Sequence, residues 1–290
     1  MKNILITGGA GFVGTNLCEY LFKLGNEVTS LDNYTTGKTA NHIDGVKYYN
    51  GDTRDIDRIF SNKKFDCIFH LGEYSKIEPS FNNFRKVCSY NMLGTASVID
   101  YCIKNKIKIV YAASSTRFAE EGITHSPYSF TKSQNVDLIK SCAEWFDLNY
   151  SVCYFYNNYG PYHDTSDNEY KTVISVFQNQ KLSGQKLTIT KPGTQRRNYT
   201  HVHDTVRGLY KSYLYENNGE FQLCNENEYS LFELAKLFKS EFILTSEREG
   251  DRLLGANDLV LDYLNETKAK LNWEAKISLE DWIKSMEICK

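Results

Sequence analysis

Short apolar segments alternate with longer amphipathic segments through the first half of the chain. The short segments are rich in β-branched residues, and the longer ones carry apolar residues at helical spacing. This alternation is typical of βαβ units and predicts a parallel sheet. The predicted strands are Asn3–Thr7, Glu27–Leu31, Val46–Asn50, Cys67–Leu71, Ile107–Ala112 and Tyr150–Tyr154. The predicted helices between them lie near Gly11–Leu24, Asp55–Ser61, Phe84–Lys104 and Ser126–Phe146.

The regular alternation ends after Pro161. The second half is expected to contain helices around Val173–Leu182, from near Asp204, at Ser230–Phe238 and at Ser278–Met286, with a short strand at Leu187–Thr190. The sequence shows no internal repeat, low-complexity tract or long flexible linker. We therefore expect the second half to fold onto the first as one body with two lobes.

Composition narrows the class of protein. A hydrophobic fraction of 41%, a charged fraction of 24% and a net charge of -2 are ordinary for a globular chain, and they favour neither nucleic acid nor a membrane surface as a partner. No apolar run approaches the roughly 18 to 20 residues of a membrane span, and the glycine-rich segment at Gly8 leaves no room for a signal peptide, so we expect a cytoplasmic protein. The 8 cysteines form no CxxC pair and the 6 histidines no HxxxH or HExxH pair, which predicts neither disulfides nor a metal site.

A glycine-rich segment lies between the first predicted strand and the first predicted helix. It reads Gly8-Gly9-Ala10-Gly11-Phe12-Val13-Gly14. Small residues let the backbone turn tightly and approach a pyrophosphate, whose charge then meets the positive end of the helix. A glycine pattern alone is weak evidence, but in this position it predicts a dinucleotide site.

Two aspartates follow the next predicted strands. Asp32 can accept hydrogen bonds from adenosine ribose hydroxyls and would repel a 2′-phosphate, which favours NAD over NADP. Asp52, in the segment Gly51-Asp52-Thr53-Arg54, is expected to meet the adenine edge. The alternative is that both are ordinary loop carboxylates that cap turns.

Tyr128 and Lys132 are four residues apart on a predicted helix. This spacing puts a phenol and an ammonium on one face, where the cation favours the phenolate. Such a pair can take a proton from a sugar hydroxyl while hydride leaves the same carbon. The spacing occurs by chance on many helices, but Ala112-Ala113-Ser114-Ser115-Thr116 adds hydroxyl groups at the carboxyl edge of the sheet, where ligands of open α/β folds bind. Alternatively, Ser114 to Thr116 only cap the next segment.

Ordered motifs extend this pattern along nearly the whole chain. They are Thr7-Gly8-Gly9-Ala10-Gly11-Phe12-Val13-Gly14, Leu31-Asp32-Asn33, Gly51-Asp52, His70-Leu71-Gly72, Asn91-Met92-Leu93-Gly94-Thr95, Tyr128 with Lys132, Asn157-Asn158-Tyr159-Gly160-Pro161, Gly193-Thr194-Gln195-Arg196-Arg197-Asn198-Tyr199, His201-Val202-His203-Asp204 and Arg248-Glu249-Gly250-Asp251. Together they resemble the NAD-dependent epimerase/dehydratase family, extended short-chain dehydrogenases that act on nucleotide sugars, and in particular its UDP-glucose 4-epimerase-like members.

The resemblance implies a fold and a division of the chain. The fold is α/β, a Rossmann-type doubly wound parallel sheet with a smaller C-terminal α/β substrate lobe. Residues 1–160 would form the NAD-binding domain, residues 193–216 would return to it, and residues 161–290 would mainly form the substrate lobe. The partner would be a nucleotide-diphosphate sugar.

The resemblance also implies roles for single residues. Ser114 would bind the sugar at its reacting carbon, Tyr128 would act as base and Lys132 would bind the nicotinamide ribose. Arg197 and Arg248 would hold the substrate diphosphate, which suits guanidinium forks, although from the sequence alone each could be a solvated surface charge. The remaining residues expected at the NAD and substrate sites are Asn33, Thr53, Leu71, Gly72, Ser115, Thr116 and Asn157.

Departures from the family pattern decide between reactions. The family's 4,6-dehydratases carry an Asp-Glu pair after the catalytic hydroxyl, where this chain has Ser115 and Thr116. Nucleotide-sugar decarboxylases have a glutamate at the second position and GDP-mannose 3,5-epimerases a cysteine, and Thr116 fits neither. Arg117 and Glu73 replace small or aliphatic residues and are expected at the edge of the site, where they would alter the substrate or the reaction.

Other departures are Phe118 in place of a tyrosine, Tyr154 where an arginine is common, and a short segment from Ala119 to Pro127. The chemistry that remains is hydride and proton transfer at one carbon. Our leading hypothesis is a 4-epimerase that retains NAD and forms a transient 4-keto sugar. The alternatives are a nucleotide-sugar 4-dehydrogenase or 4-ketoreductase and, in another class, a non-catalytic NAD-binding scaffold or sensor.

Two further expectations concern assembly and specificity. The helices at Phe84–Lys104 and Ser126–Phe146 have more apolar residues than one sheet face needs, namely Val87, Leu93, Val98, Leu138 and Trp145, and in the family this pair of helices forms a dimer interface. We therefore expect a homodimer or larger homo-oligomer. Gly255 falls where a tyrosine restricts some 4-epimerases to plain hexoses, so tolerance of 2-acetamido sugars is expected.

Overall fold

Within the part of the chain that the structure describes, eleven strands form one large sheet and two small ones. The structure, a computed structural model, describes residues 1–119, 122–163, 172–247, 251 and 260–288. The strands are β1 (Asn3–Thr7), β2 (Glu27–Asp32), β3 (Lys47–Asn50), β4 (Cys67–His70), β5 (Lys108–Ser114), β6 (Tyr150–Phe155), β7 (Leu187–Thr190), β8 (Arg196–Asn198), β9 (Gly219–Leu223), β10 (Glu228–Ser230) and β11 (Phe242–Thr245).

The large sheet has seven parallel strands in the order β3-β2-β1-β4-β5-β6-β9. The strand order reverses between β1 and β4, which are neighbours in space but are separated in sequence by two strands. β8 pairs with β10, and β7 pairs with β11, in the second half of the chain. The predicted α/β doubly wound parallel sheet is confirmed.

Helices cover both faces of the sheet and build the second lobe. They are α1 (Phe12–Lys23), α2 (Ile56–Ile59), α3 (Glu78–Asn82), α4 (Phe84–Val87), α5 (Gly94–Asn105), α6 (Pro127–Phe146), α7 (Val173–Leu182), α8 (Val202–Leu214), α9 (Leu231–Leu237), α10 (Leu261–Leu271) and α11 (Leu279–Ile288). The predicted helix Phe84–Lys104 is interrupted by a π-helical turn at Cys88–Leu93.

The structure adds a strand that the sequence pattern did not predict. β9 pairs in parallel with β6 and closes that edge of the large sheet. Its sequence begins with Gly219 and Glu220 and includes the buried Gln222, so it lacks the continuous apolar run of β1 and β4. Tertiary contacts therefore override a weak local signal.

Two clusters of buried side chains divide the chain. The larger one lies around the seven-stranded sheet and includes Val202, Val206 and Leu209 of α8. The smaller one contains Tyr159, Phe177 and other residues of the second half. The larger cluster also includes Phe221, Leu264 and Trp273 from the last part of the chain. The division into residues 1–160 with 193–216 returning to them, and residues 161–290 as the main part of the substrate lobe, therefore stays a prediction.

Within the described ranges, no helix is long and apolar enough to cross a membrane. The same residues contain no group of three or more His, Cys, Asp or Glu side chains arranged to hold a metal ion. Six of the described cysteines are buried, and Cys88 is partly buried. All seven are free thiols.

Candidate active site

A cavity of about 580 Å³ opens at the carboxyl ends of the sheet strands. It extends over the point where the strand order reverses and continues between the two lobes, so that both halves of the chain line it. Ligands of doubly wound folds bind at this place. The topology therefore identifies the cavity as the candidate active site.

The glycine-rich segment forms a tight cradle at one end of the cavity. Gly8 has a φ of 73°, and a Cβ atom there would lie 2.9 Å from the backbone of Gly72. A Cβ atom at Gly14 would lie 2.0 Å from the carbonyl oxygen of Gly8. Only glycine fits these two positions, and α1 begins directly beyond, with Gly8, Gly11, Phe12, Val13 and Gly14 all lining the cavity.

Asp32 lies beside this cradle at the end of β2. Its carboxylate accepts hydrogen bonds from the backbone nitrogens of Ala10 at 2.9 Å and of Tyr34 at 2.8 Å. Burial raises the pKa of Asp32, and these two hydrogen bonds oppose that effect. Asp32 thus lines the cavity and also fixes the glycine turn, so the ligand-binding and the structural interpretation are compatible.

Asp52 is engaged with protein groups next to the cavity. It accepts from Arg54 Nε at 2.7 Å and from Asn33 Nδ2 at 3.2 Å. Burial alone would raise the pKa of Asp52, but the hydrogen bonds from Arg54 and Asn33 outweigh it and lower the pKa below the ordinary value. Among the described residues, Asn33, Thr53, Leu71 and Gly72 line the cavity and Asp52 does not.

Ser114, Tyr128 and Lys132 line the cavity together at the end of β5 and the start of α6. Ser126 caps α6 by accepting from Ser129 N at 3.1 Å, which fixes the first turn that carries Tyr128. Thr116 Oγ1 donates to Ser114 Oγ at 3.0 Å. Ser115 and Thr116 also line the cavity, so the hydroxyl groups predicted at this edge do meet the Tyr128 and Lys132 pair.

Two other predicted substrate residues, Asn157 and Arg197, lie after β6 and on β8. Asn157 lines the cavity with a φ of 29°, and its side-chain nitrogen donates to Asn198 O at 2.9 Å. Arg197, on β8, lines the cavity with 9% of its surface exposed and donates to Arg196 O at 2.6 Å. Arg248 and Gly255 lie outside the described residues.

A buried polar network lies behind Lys132, and Glu73 is at its centre. The Glu73 side chain is 2% exposed and forms an ion pair with Lys132, whose ammonium also donates to Ala112 O. Glu73 Oε1 accepts from Thr95 at 3.0 Å, from Asn135 at 2.8 Å and from Tyr111 at 3.1 Å. Burial raises the pKa of Tyr111 well above its ordinary value, and the Glu73 charge raises it further.

The hydrogen bonds of this network have one consistent direction. Thr95 donates to the carboxylate, so it accepts from His70 Nε2 at 2.9 Å. His70 Nδ1 then accepts from Thr7 Oγ1 at 2.7 Å, and Thr7 Oγ1 accepts from Gly72 N at 2.9 Å. Burial lowers the pKa of His70 to about 4, which keeps the ring neutral in this chain of bonds.

Glu73 and Arg117, which both depart from the family pattern, thus lie in different places. Glu73 is inside the site, in contact with Lys132. Arg117 points elsewhere, because the short turn Ser115–Phe118 directs it onto α6, where it donates to Ser133 O at 2.9 Å and to Asp137 at 2.6 Å. The expectation that Arg117 lies at the edge of the site is therefore wrong.

Sequence reasoning did not identify the segment after Gly72. Tyr74, Ser75, Lys76 and Glu78 all line the cavity. Their position after β4 could have predicted this, because the carboxyl end of β4 borders the same crevice as that of β1.

Comparison with known proteins agrees with this geometry. The family model described as "NAD dependent epimerase/dehydratase family" matches residues 4–223. A putative UDP-glucose 4-epimerase of Methanocaldococcus jannaschii is 28% identical, over 97% of this chain and 96% of its own. UDP-glucuronic acid decarboxylase 5 of Arabidopsis thaliana is 29% identical, over 98% of this chain and 88% of its own.

Among solved structures, the UDP-glucose 4-epimerase of Thermotoga maritima with UDP-glucose superposes with a TM-score of 0.90 at 26% identity, over 99% of this chain and 100% of its own. The fold and site define a Rossmann-type enzyme class that acts on nucleotide sugars. The chain belongs to the NAD-dependent epimerase/dehydratase family, whose members include epimerases, decarboxylases and dehydratases. The glycine cradle and Asp32 fit NAD, the cofactor of the family.

Proposed function

We propose that this protein is an NAD-dependent nucleotide-sugar 4-epimerase. The observation that carries the proposal is the set of neutral hydroxyl groups at the end of β5, Ser114, Ser115 and Thr116, beside Tyr128 and Lys132. Elimination of water needs an acid and a base at the positions of Ser115 and Thr116, and hydroxyl groups at those positions supply neither. What remains is proton and hydride transfer at a single carbon.

In this reaction Tyr128 accepts the proton of the sugar O4 hydroxyl, and Ser114 hydrogen-bonds the same oxygen. Lys132 holds the nicotinamide ribose. Bound NAD supplies the acceptor for the C4 hydride and the donor for its return. The 4-keto sugar turns in the cavity before the return, Tyr128 gives the proton back, and the configuration at C4 is inverted.

The substrate would be held by residues from both halves of the chain. Asn157, which follows β6, and Arg197, on β8, both line the cavity, so we assign them to the substrate sugar and diphosphate, together with Arg248. A guanidinium fork suits a diphosphate because it offers paired donors. Residues Gly8, Gly11, Phe12, Val13, Gly14, Asp32, Asn33, Asp52, Thr53, Leu71 and Gly72 would hold or border NAD.

The test uses UDP-, GDP- and dTDP-sugars deuterated at C4, without added NAD. An epimerase retains the deuterium at C4 of the inverted product, because the hydride does not leave the site. Released keto sugar with one equivalent of reduced NAD that carries the deuterium, and no inverted product, would instead assign a 4-dehydrogenase. Carbon dioxide release from UDP-glucuronic acid, the substrate in the names of the decarboxylase relatives, would contradict the proposal. Tyr128→Phe is the matched inactive control.

A further inference from the structure

Glu73 and Lys132 form a nearly buried charge pair in the wall of the cavity. The exposed fractions of their side chains are 2% and 8%. Nearly buried charges interact over longer distances than surface charges, because solvent and salt screen them weakly. The charge state of this pair therefore affects whatever binds in the adjoining cavity.

The described groups around the pair leave its net charge near zero. Glu73 is met by hydroxyl and amide donors from Thr95, Tyr111 and Asn135. The Lys132 ammonium also lies over the ring of Tyr111, 4.5 Å from its centroid. The titratable groups nearest to the pair are His70, which is neutral above about pH 4, and the phenols of Tyr111 and Tyr128.

Both members of the pair line the dinucleotide cavity with Leu71, Gly72 and Tyr128. Oxidised nicotinamide carries one positive charge, and reduced nicotinamide carries none. An unpaired Lys132 ammonium would therefore disfavour the oxidised form, whereas a carboxylate against it cancels this repulsion. Glu73 is that carboxylate, paired with the Lys132 ammonium.

We propose that Glu73 sets the preference of the pocket for oxidised over reduced NAD by neutralising the Lys132 ammonium from within the protein. Glu73 acts through Lys132 and is thus a positioning residue. The inference rests on the NAD pocket that is common to the family, and it does not depend on the proposed 4-epimerase reaction.

The experiment measures cofactor selection without any sugar. The purified protein is equilibrated with known mixtures of NAD⁺ and NADH, freed of unbound cofactor by rapid gel filtration, and extracted so that both forms are counted by chromatography. A unit charge about 10 Å from a charged centre, at an effective dielectric constant of about 20, changes an equilibrium roughly tenfold. We expect Glu73→Gln to raise the bound NADH to NAD⁺ ratio by roughly that factor.

Three variants complete the test. Glu73→Asp keeps the charge and should stay within about twofold of the wild-type ratio. Tyr111→Phe removes one hydrogen bond to Glu73 but no charge, and should also leave the ratio unchanged. Glu73→Ala also removes the carboxylate and should match Glu73→Gln, so that it reports the same quantity if the glutamine variant does not fold.

A ratio in Glu73→Gln or Glu73→Ala equal to that of the wild type would overturn the proposal. Loss of folding in both variants would do so too, because it would assign Glu73 to the stability of the fold. An equal shift in Tyr111→Phe would also count against it, since that change leaves every charge in place. These outcomes are independent of the deuterium experiment, so each proposal can fail without the other.

Discussion

The Asp204 carboxylate accepts a hydrogen bond of 2.8 Å from the backbone nitrogen of Ile277, 73 residues later in the chain. The same oxygen accepts from Lys276 N at 2.8 Å, and Arg207 lies 2.8 Å from the other oxygen. The Asp204 side chain is fully buried. The hydrogen bonds of this one carboxylate connect the segment before α11 to the amino terminus of α8, at the boundary of the two core clusters.

We predict that Asp204→Ala destabilises the protein. The change leaves two backbone amides without an acceptor, which should lower the free energy of unfolding by about 2–4 kcal/mol. Urea unfolding followed by circular dichroism measures this. Asp281→Ala, at an exposed aspartate of α11, is the control and should change stability by less than about 0.5 kcal/mol. Equal losses in both variants would contradict the structural role of Asp204.

Tyr128→Phe should remove the group that accepts the O4 proton and leave the glycine cradle intact. We expect turnover to fall by about 10² to 10⁴, the range for loss of an acid or base catalyst, with little change in NAD affinity. Steady-state kinetics and calorimetry with NAD measure the two quantities. A variant that keeps its activity would rule out the proposed role of Tyr128.

NAD should bind more tightly than NADP. Asp32 lines the cavity and would repel a 2′-phosphate. Asp32→Ser should narrow the difference between the two dissociation constants, measured by calorimetry. Because Asp32 also orders Ala10 N and Tyr34 N, we expect affinity for both cofactors to decrease while the ratio changes. Equal affinity of the wild type for NAD and NADP would refute this assignment.

The exposed apolar surface of the α5 and α6 pair leads to a prediction about assembly. Leu93 is 61% exposed and Trp145 is 64% exposed, whereas Val87 and Val98 are buried within the subunit. We expect a homodimer that Leu93→Asp weakens, as measured by light scattering over a range of concentrations. Leu214→Asp, at a leucine of α8 that is 56% exposed, should leave the mass unchanged. A wild-type monomer at micromolar concentration would disprove the prediction.

Stability should fall in mild acid because of His70. Burial lowers the pKa of His70 from 6.5 to about 4, so between these values the unfolded chain binds a proton that the folded chain does not. Stability is then complete above about pH 6.5 and is lost as the pH falls toward 4. In His70→Gln the free energy of unfolding should depend less on pH in this range, by up to about 1.4 kcal/mol per pH unit. Identical slopes in wild type and variant would show that His70 does not contribute.

The sequence predicted best those elements whose own residues carry the pattern, and it missed elements that depend on distant parts of the chain. The strands β1 and β4 are buried on both faces, and their apolar runs identify them directly. β9 is short and contains Gln222, so its place in the sheet depends on pairing with β6.

The same distinction applies to the site. The glycine cradle and the Tyr128 and Lys132 pair could be read from spacing within single segments. The partners of Glu73 could not, because Thr95, Tyr111 and Asn135 come from three different elements. The prediction for Arg117 was wrong for a related reason. Arg117 is close to Ser114 in sequence, but this proximity does not determine the direction of its side chain after a tight turn.

The late position of β9 has a consequence for synthesis on the ribosome. The strands that carry the glycine cradle are translated early, but one edge of β6 has no neighbour until residues 219–223 emerge. An unpaired inner strand is a template for other chains. Nascent or truncated chains that stop before residue 219 should therefore contain the sequence of a dinucleotide site and still self-associate, so that chaperones would be needed most during this interval of translation.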